Sequence, residues 1–262
     1  MSVDRISDHF CADDSDLTFR SCDGMVFKVH RNNLIAHSEG FSPPPNTDSQ
    51  DEIVPLIESG DTLELLFQFM YPQKQPDLKK MEFKQLAELA EAAEKYQVFA
   101  AMGVCNIYMS EAYLEHPFEV MLYAMRHGYA DIMDKAERKA LEVSPTLAFD
   151  CFTPQVYIAW TRYYAQWLDL LGEFHKFLIT IPVHPAGYYH TQHHLWYTSI
   201  VSQMDKPASL LKLDDIFLAA ETHSSSGYGA AQCDFCLSRM KSWKETEMEP
   251  AIQRMRSLSS FL

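Results

Sequence analysis

The sequence contains no apolar run of the ~20 residues that a helix needs to cross a bilayer. Its first ten residues have no apolar core of the signal-peptide type, and no Asn-x-Ser/Thr acceptor occurs anywhere. Lysine and arginine number 22 against 36 aspartates and glutamates, which gives a net charge of −14. Without a basic stripe, the chain is poorly suited to nucleic-acid phosphates or anionic membranes. These absences predict an intracellular protein, cytoplasmic or nuclear, that binds neither nucleic acid nor membrane.

Disulfide and catalytic patterns are also missing. Six cysteines spread over 262 residues do not form a disulfide framework, so we expect reduced thiols. The sequence has no Gly-x-Ser-x-Gly, no His-Glu-x-x-His and no P-loop, and its histidines show no paired-nucleophile arrangement. We therefore expect a protein without enzymatic activity and without a cofactor.

The stretch from Asp16 to Phe41 organises the first half of the chain. Two short strands are predicted, because β-branched or aromatic residues alternate with polar ones. Leu17 and Phe19 mark the first strand, and Val26 or Phe27 marks the second. Cys22-Asp23-Gly24 between them predicts a tight turn, because Asp-Gly tolerates positive φ. After His30 the apolar period becomes helical. The prediction is a hairpin followed directly by a helix.

The next segments extend this unit. Residues 42–50, with three consecutive prolines, predict a surface loop. Residues 52–56 predict a returning strand, which Pro55 places at a sheet edge or near a strand end. Asp61-Thr62 is expected to cap a helix with four apolar residues at helical spacing, and a longer helix is predicted over Glu82–Tyr96. Those four residues are Leu63, Leu66, Phe67 and Met70.

This succession resembles a BTB/POZ domain over roughly residues 14–112. The family pattern Phe-x-Val/Ala-His-Arg-x-x-Leu-x-x-x-Ser-x-x-Phe is present in residues 27–41, and Asp16-Leu17 is similar to the start of its first core strand. Residues 65–71 resemble the family helix that ends in Met-Tyr, and residues 92–98 resemble Ala-Ala-x-Lys-Tyr-x-Val. Cys105 lies where the family often has cysteine.

The resemblance implies a protein–protein interaction module that forms homodimers or higher oligomers. Asp16 and Arg31 lie at the positions where family members form a charged pocket in the dimer interface. The alternative is an ordinary exposed ion pair between a strand and a helix. His30 is expected to be a buried histidine that supports the strand–helix junction.

Two specialised roles in the family remain open: a substrate adaptor of a cullin-type ubiquitin ligase and a transcriptional co-regulator. The kelch-type repeats and zinc-finger arrays that usually accompany these roles are absent from the sequence.

Residues 117–262 match no motif and read as helices. A long helix over Thr153–Phe177 carries an aromatic and aliphatic stripe that is typical of a core seam. Cys233-x-x-Cys236 has zinc-ligand spacing, and His190, His193 or His194 could complete a site. Packing of the two cysteines in a helical core is the favoured alternative, and a zinc-stabilised helical protein stays a lesser hypothesis.

Together these features predict an α+β protein with three regions. Residues 1–13 are expected to form a flexible tail, residues 14–115 a BTB/POZ-like domain, and residues 116–262 an all-helical region. The leading functional hypothesis is a non-catalytic scaffold or adaptor that associates with itself, and the second is a partner of a cullin scaffold.

Overall fold

A computed structural model of the chain describes residues 5–41, 53–176, 192–222 and 233–262; for residues 192–195 it describes the backbone alone. The chain divides into two compact units, residues 1–133 and residues 134–262. The expected α+β class, with a helical C-terminal region, is confirmed. The predicted proline loop over residues 42–50 lies outside the described residues.

The first unit contains a four-stranded sheet in the order β1-β3-β2-β4. β2 and β3 form the predicted antiparallel hairpin, whereas β1 pairs with β3 and β4 pairs with β2 in parallel. The turn depends on Gly24, whose φ of 86° favours glycine, and on Ser21, whose hydroxyl accepts the Met25 amide at 2.8 Å. The strand predicted over residues 52–56 is β4, and it lies at an edge of the sheet as predicted. The strands are β1 (Arg5–Cys11), β2 (Leu17–Arg20), β3 (Met25–Val29) and β4 (Ile53–Pro55).

The segment predicted as a flexible tail contains β1, so that expectation misses a strand. β1 buries Ser7 and Phe10, which lie three residues apart, and its pairing with β3 shifts register along its length. The strand therefore lacks the strict alternation that reveals strands in sequence. The Phe10 ring lies 5.6 Å from Phe67 and 5.1 Å from Tyr71, both edge-on, which fixes β1 to the core.

Helices follow the sheet in the first unit. The N-cap of α2 lies two to three residues earlier than predicted, because Ser59 is the residue whose hydroxyl accepts the Thr62 amide. The four apolar residues predicted for its buried face are fully buried. The helices are α1 (Arg31–His37), α2 (Gly60–Gln68), α3 (Phe83–Tyr96), α4 (Phe99–Ala112) and α5 (Pro117–His127), and the division between the units falls within α6 (Ala130–Ala140).

The second unit is helical throughout its described residues. α8 agrees with the predicted long helix to within one residue at each end, and its stripe buries Trp160, Trp167, Leu171 and Phe174 as expected for a core seam. A 3-10 segment, Pro207–Lys212, precedes α10, and a π-helical segment, Trp243–Met248, joins α11 to α12. The remaining helices are α7 (Pro145–Cys151), α8 (Pro154–Lys176), α9 (Gln192–Gln203), α10 (Leu213–Thr222), α11 (Asp234–Ser242) and α12 (Glu249–Gln253).

In the part of the chain that the structure describes, none of the helices combines the length and apolarity needed to cross a bilayer.

Candidate interaction surface

The junction between β3 and α1 is organised by a tyrosine hydroxyl. The Tyr71 hydroxyl accepts the His30 backbone amide at 2.8 Å and lies 3.0 Å from His30 Nδ1. On its other side, His30 Nε2 lies 3.2 Å from Asp14 Oδ1. Burial raises the pKa of Tyr71, which keeps this hydroxyl protonated. His30 thus supports the strand–helix junction as expected, although its side chain is 32% exposed and only partly buried.

Asp16 and Arg31, the two predicted interface residues, lie in direct contact. Asp16 is exposed and Arg31 is half-buried. The Asp16 Oδ1 atom accepts the Arg31 backbone amide at 2.7 Å. Because this amide opens α1, the carboxylate satisfies one of the donors that a helix start leaves free. The structure therefore brings the two residues together, and Asp16 fixes the entry into α1.

An exposed face of α1 begins at this contact. Ile35 follows Arg31 by four residues, so the two side chains lie on one face of the helix. The Ile35 side chain is 48% exposed, whereas the adjacent Leu34 is fully buried. An acid, a base and an aliphatic side chain are thus grouped on one surface. We refer to Asp16, Arg31 and Ile35 as the α1 face.

A second cluster joins α5 to α3. The Glu94 carboxylate accepts the Tyr123 hydroxyl at 3.0 Å and the Tyr129 hydroxyl at 2.5 Å. Glu91, one turn earlier, lies 3.0 Å from His127 Nε2 and pairs with Arg126. Burial, followed by the Glu94 charge, raises the pKa of Tyr123. These contacts bind the helix after α4 to the rest of the first unit.

Sequence reasoning missed the role of Glu94. In the motif that supports the family resemblance this residue is the unspecified position between Ala-Ala and Lys-Tyr. Its two tyrosine partners lie some thirty residues further on, so local spacing carries no signal for the contact.

The candidate zinc ligands are only partly described. Cys233 is the N-cap residue of α11, and Cys236 is buried in its first turn. Burial, and then a hydrogen bond with Cys233, raises the pKa of the Cys236 thiol to about 11. His190 lies outside the described residues, as do the side chains of His193 and His194. Elsewhere, the described residues contain no group of three or more His, Cys, Asp or Glu placed to hold a metal ion.

The first unit thus combines a small mixed sheet, a short helix with an exposed face, and a helical cluster. The family model described as BTB/POZ domain matches residues 7–113, so this part of the chain is a BTB/POZ domain. A BTB/POZ domain is a protein–protein interaction and oligomerisation module. The C-terminal part is matched by no family model. No curated protein matches the chain.

Proposed function

We propose that this chain is a non-catalytic scaffold or adaptor that forms a homodimer through the α1 face of its BTB/POZ domain. The observation that carries the proposal is the contact between Asp16 and the Arg31 amide at the start of an exposed amphipathic helix face. A two-fold interface presents the same patch twice, so a patch with both signs of charge and an aliphatic side chain can complement itself.

Light scattering on the full chain tests the proposal. The chain has a mass of 30.2 kDa, and we expect the wild type to elute with twice that mass. Ile35→Asp is expected to shift the protein to the monomer, because it places a charge in the apolar part of the interface. Ile35 is half-exposed in the single chain, so this change does not disturb the core.

The charged pair is tested by two further variants. Asp16→Asn keeps an oxygen that accepts the Arg31 amide but removes the charge, and Arg31→Gln removes the guanidinium. In the proposed interface both charges are desolvated, and removing one of them leaves the other buried without that partner. This costs about 3–5 kcal/mol, so each variant should weaken dimerisation at least a hundredfold. Asp61→Asn is the matched control, because Asp61 is an exposed acid in the first turn of α2 and lies outside the α1 face.

Two outcomes would contradict this proposal. One is a monomeric wild type at micromolar concentration. The other is a dimer that Ile35→Asp, Asp16→Asn and Arg31→Gln all leave unchanged, which would place the interface elsewhere on the chain.

A second candidate function is that of substrate adaptor for a cullin-type ubiquitin ligase. Family members that take this role use the domain together with helices that follow it. Here α5 follows directly after the matched residues, and Glu91 and Glu94 of α3 bind it. Pull-down with a purified cullin scaffold separates the two candidates. Capture that depends on Glu94 and Tyr123 would favour the adaptor, whereas a stable dimer without capture would favour the plain scaffold.

A further inference from the structure

The last nine residues of the chain lie on the second unit as a strap, defined here as residues 254–262. Gln166 of α8 binds one peptide unit on each side of Arg256: its Nε2 donates to the Arg256 carbonyl at 2.7 Å and its Oε1 accepts the Arg256 amide at 3.0 Å. Two residues further on, Glu137 Oε2 of α6 accepts the Leu258 amide at 2.7 Å. The strap is therefore held through its backbone.

One side chain anchors the strap. Leu258 is fully buried, whereas its neighbours on both sides are half-buried or exposed. A segment with one buried apolar side chain and solvent-facing hydrogen bonds belongs to the least stable part of a structure. The strap therefore stays bound largely through the hydrogen bond between the Leu258 amide and Glu137, since Leu258 is also its buried side chain.

Glu137 is an unusual partner for such a bond. Its side chain is 4% exposed, and a buried carboxylate is costly unless it is well paired. Asp134 and Arg138, both on α6, act on it with opposite charges. From α8, the buried Tyr163 is near enough for the Glu137 charge to raise the pKa of the Tyr163 hydroxyl. Burial outweighs the Leu258 amide and the Arg138 charge, and it raises the pKa of Glu137 from 4.5 to about 7.

We propose that the strap is a proton-controlled latch, closed on α8 while Glu137 is protonated and released when Glu137 ionises. A protonated carboxyl still accepts the Leu258 amide through its carbonyl oxygen and carries no buried charge. Ionisation favours release, because an open strap admits water to the carboxylate.

The direction of the pH effect follows from linkage. The closed state binds the proton more tightly than the open state, in which Glu137 returns toward its ordinary pKa of 4.5. The contribution of the proton to closure is therefore fully present below pH 4.5 and is lost as the pH rises through about 7. Between pH 5.5 and pH 8 the fraction of open strap should increase roughly 25-fold.

Limited trypsin digestion of the full chain tests the latch, because the Arg256–Ser257 bond lies within the strap. Cleavage of a transiently opened segment follows its open population. Glu137→Gln keeps the acceptor for the Leu258 amide and removes the ionisation, so it is the matched control at every pH. The ratio of wild-type to Glu137→Gln cleavage cancels the pH dependence of trypsin itself. We expect this ratio to rise roughly 25-fold from pH 5.5 to pH 8.

Hydrogen exchange of the wild-type chain provides a test that needs no variant. The protection factor of a peptide covering residues 254–262, corrected for intrinsic exchange, should fall over the same pH range. A protection factor that stays constant would overturn the latch, as would a cleavage ratio that does not change with pH. Gln166→Ala should raise cleavage at every pH while keeping the same direction of pH dependence, and a variant without this increase would show that the strap is held elsewhere.

Discussion

The close approach of Gly40 to Tyr96 gives the sharpest test of the first unit. A Cβ atom added at Gly40 would lie 2.6 Å from Tyr96 Cα, 2.7 Å from its carbonyl oxygen and 2.8 Å from its carbonyl carbon. All three are backbone atoms at the end of α3, so no side-chain rotation relieves the overlap. Gly40→Ala must therefore move one of two backbone segments.

That movement is expensive because the Tyr96 carbonyl is already bonded twice. It accepts the Gly40 amide at 2.9 Å and the Ser38 hydroxyl at 2.7 Å. Overpacking in a tight site costs about 1–3 kcal/mol, and each weakened hydrogen bond adds about 0.5–1.5 kcal/mol. We expect Gly40→Ala to lower the free energy of unfolding of the first unit by about 2–4 kcal/mol.

Gly103→Ala is the matched control in the same unit. Gly103 lies inside α4, and a Cβ there meets nothing within 4 Å. Alanine is a better helix former than glycine by about 1 kcal/mol, so this variant should stabilise the chain. Two substitutions of the same type are thus expected to act in opposite directions.

The stability of both variants is measured by pulsed alkylation in increasing urea, with mass spectrometry to quantify the labelling of Cys105. Cys105 is fully buried in the first unit, so its labelling reports on the opening of that unit. The midpoint should fall for Gly40→Ala and rise for Gly103→Ala. If the midpoint of Gly40→Ala corresponds to a free energy of unfolding within about 0.5 kcal/mol of the wild type, the argument from backbone crowding is refuted.

Three further predictions concern single contacts in the first unit. Tyr71→Phe removes the hydroxyl that accepts the His30 amide and should cost about 1–2 kcal/mol in urea unfolding. Asp23→Ala should cost about 1 kcal/mol at pH 7, because Asp23 accepts the Gly60 amide at the start of α2. A hydrogen bond from the neighbouring serine lowers the pKa of Asp23, so this cost should disappear as the pH falls below its ordinary value of 3.8. Burial raises the pKa of the Cys105 thiol to about 12, so native Cys105 should label more slowly than the exposed cysteines at pH 8.

Sequence reasoning was most successful where one face of a helix is apolar and its ends carry clear signals. The stripe of α8 recurs every three or four residues, and this period defines a long amphipathic helix without reference to its partners. The hairpin was equally easy to predict from the sequence, because Asp23-Gly24 marks a turn between two alternating segments. In both cases the information lies within a few neighbouring residues.

The contacts that sequence reasoning missed join residues far apart in the chain. β1 is a strand because it pairs in parallel with β3 and buries Phe10 against the aromatic core, neither of which local alternation predicts. The contact between Asp16 and Arg31 is made through a backbone amide, so side-chain charges alone could not predict its geometry. Glu137 lies between Ala136 and Ala140 on the apolar side of α6, where its buried partner could not be read from the pattern.

Glu94 and Glu137 illustrate how the hydrogen-bond and charge partners of a glutamate decide its role. Glu94 accepts two tyrosine hydroxyls from beyond α4, and these donors hold α5 in a fixed position. For Glu137, the described residues provide one backbone amide from the strap, the charge of Asp134, which opposes its ionisation, and the charge of Arg138, which favours it. A carboxylate that accepts several hydrogen bonds stabilises the fold. A buried carboxylate with few donors makes its contact dependent on pH. In our two proposals, the BTB/POZ domain provides a fixed self-association surface, and the unmatched helical region carries the part of the chain that responds to pH.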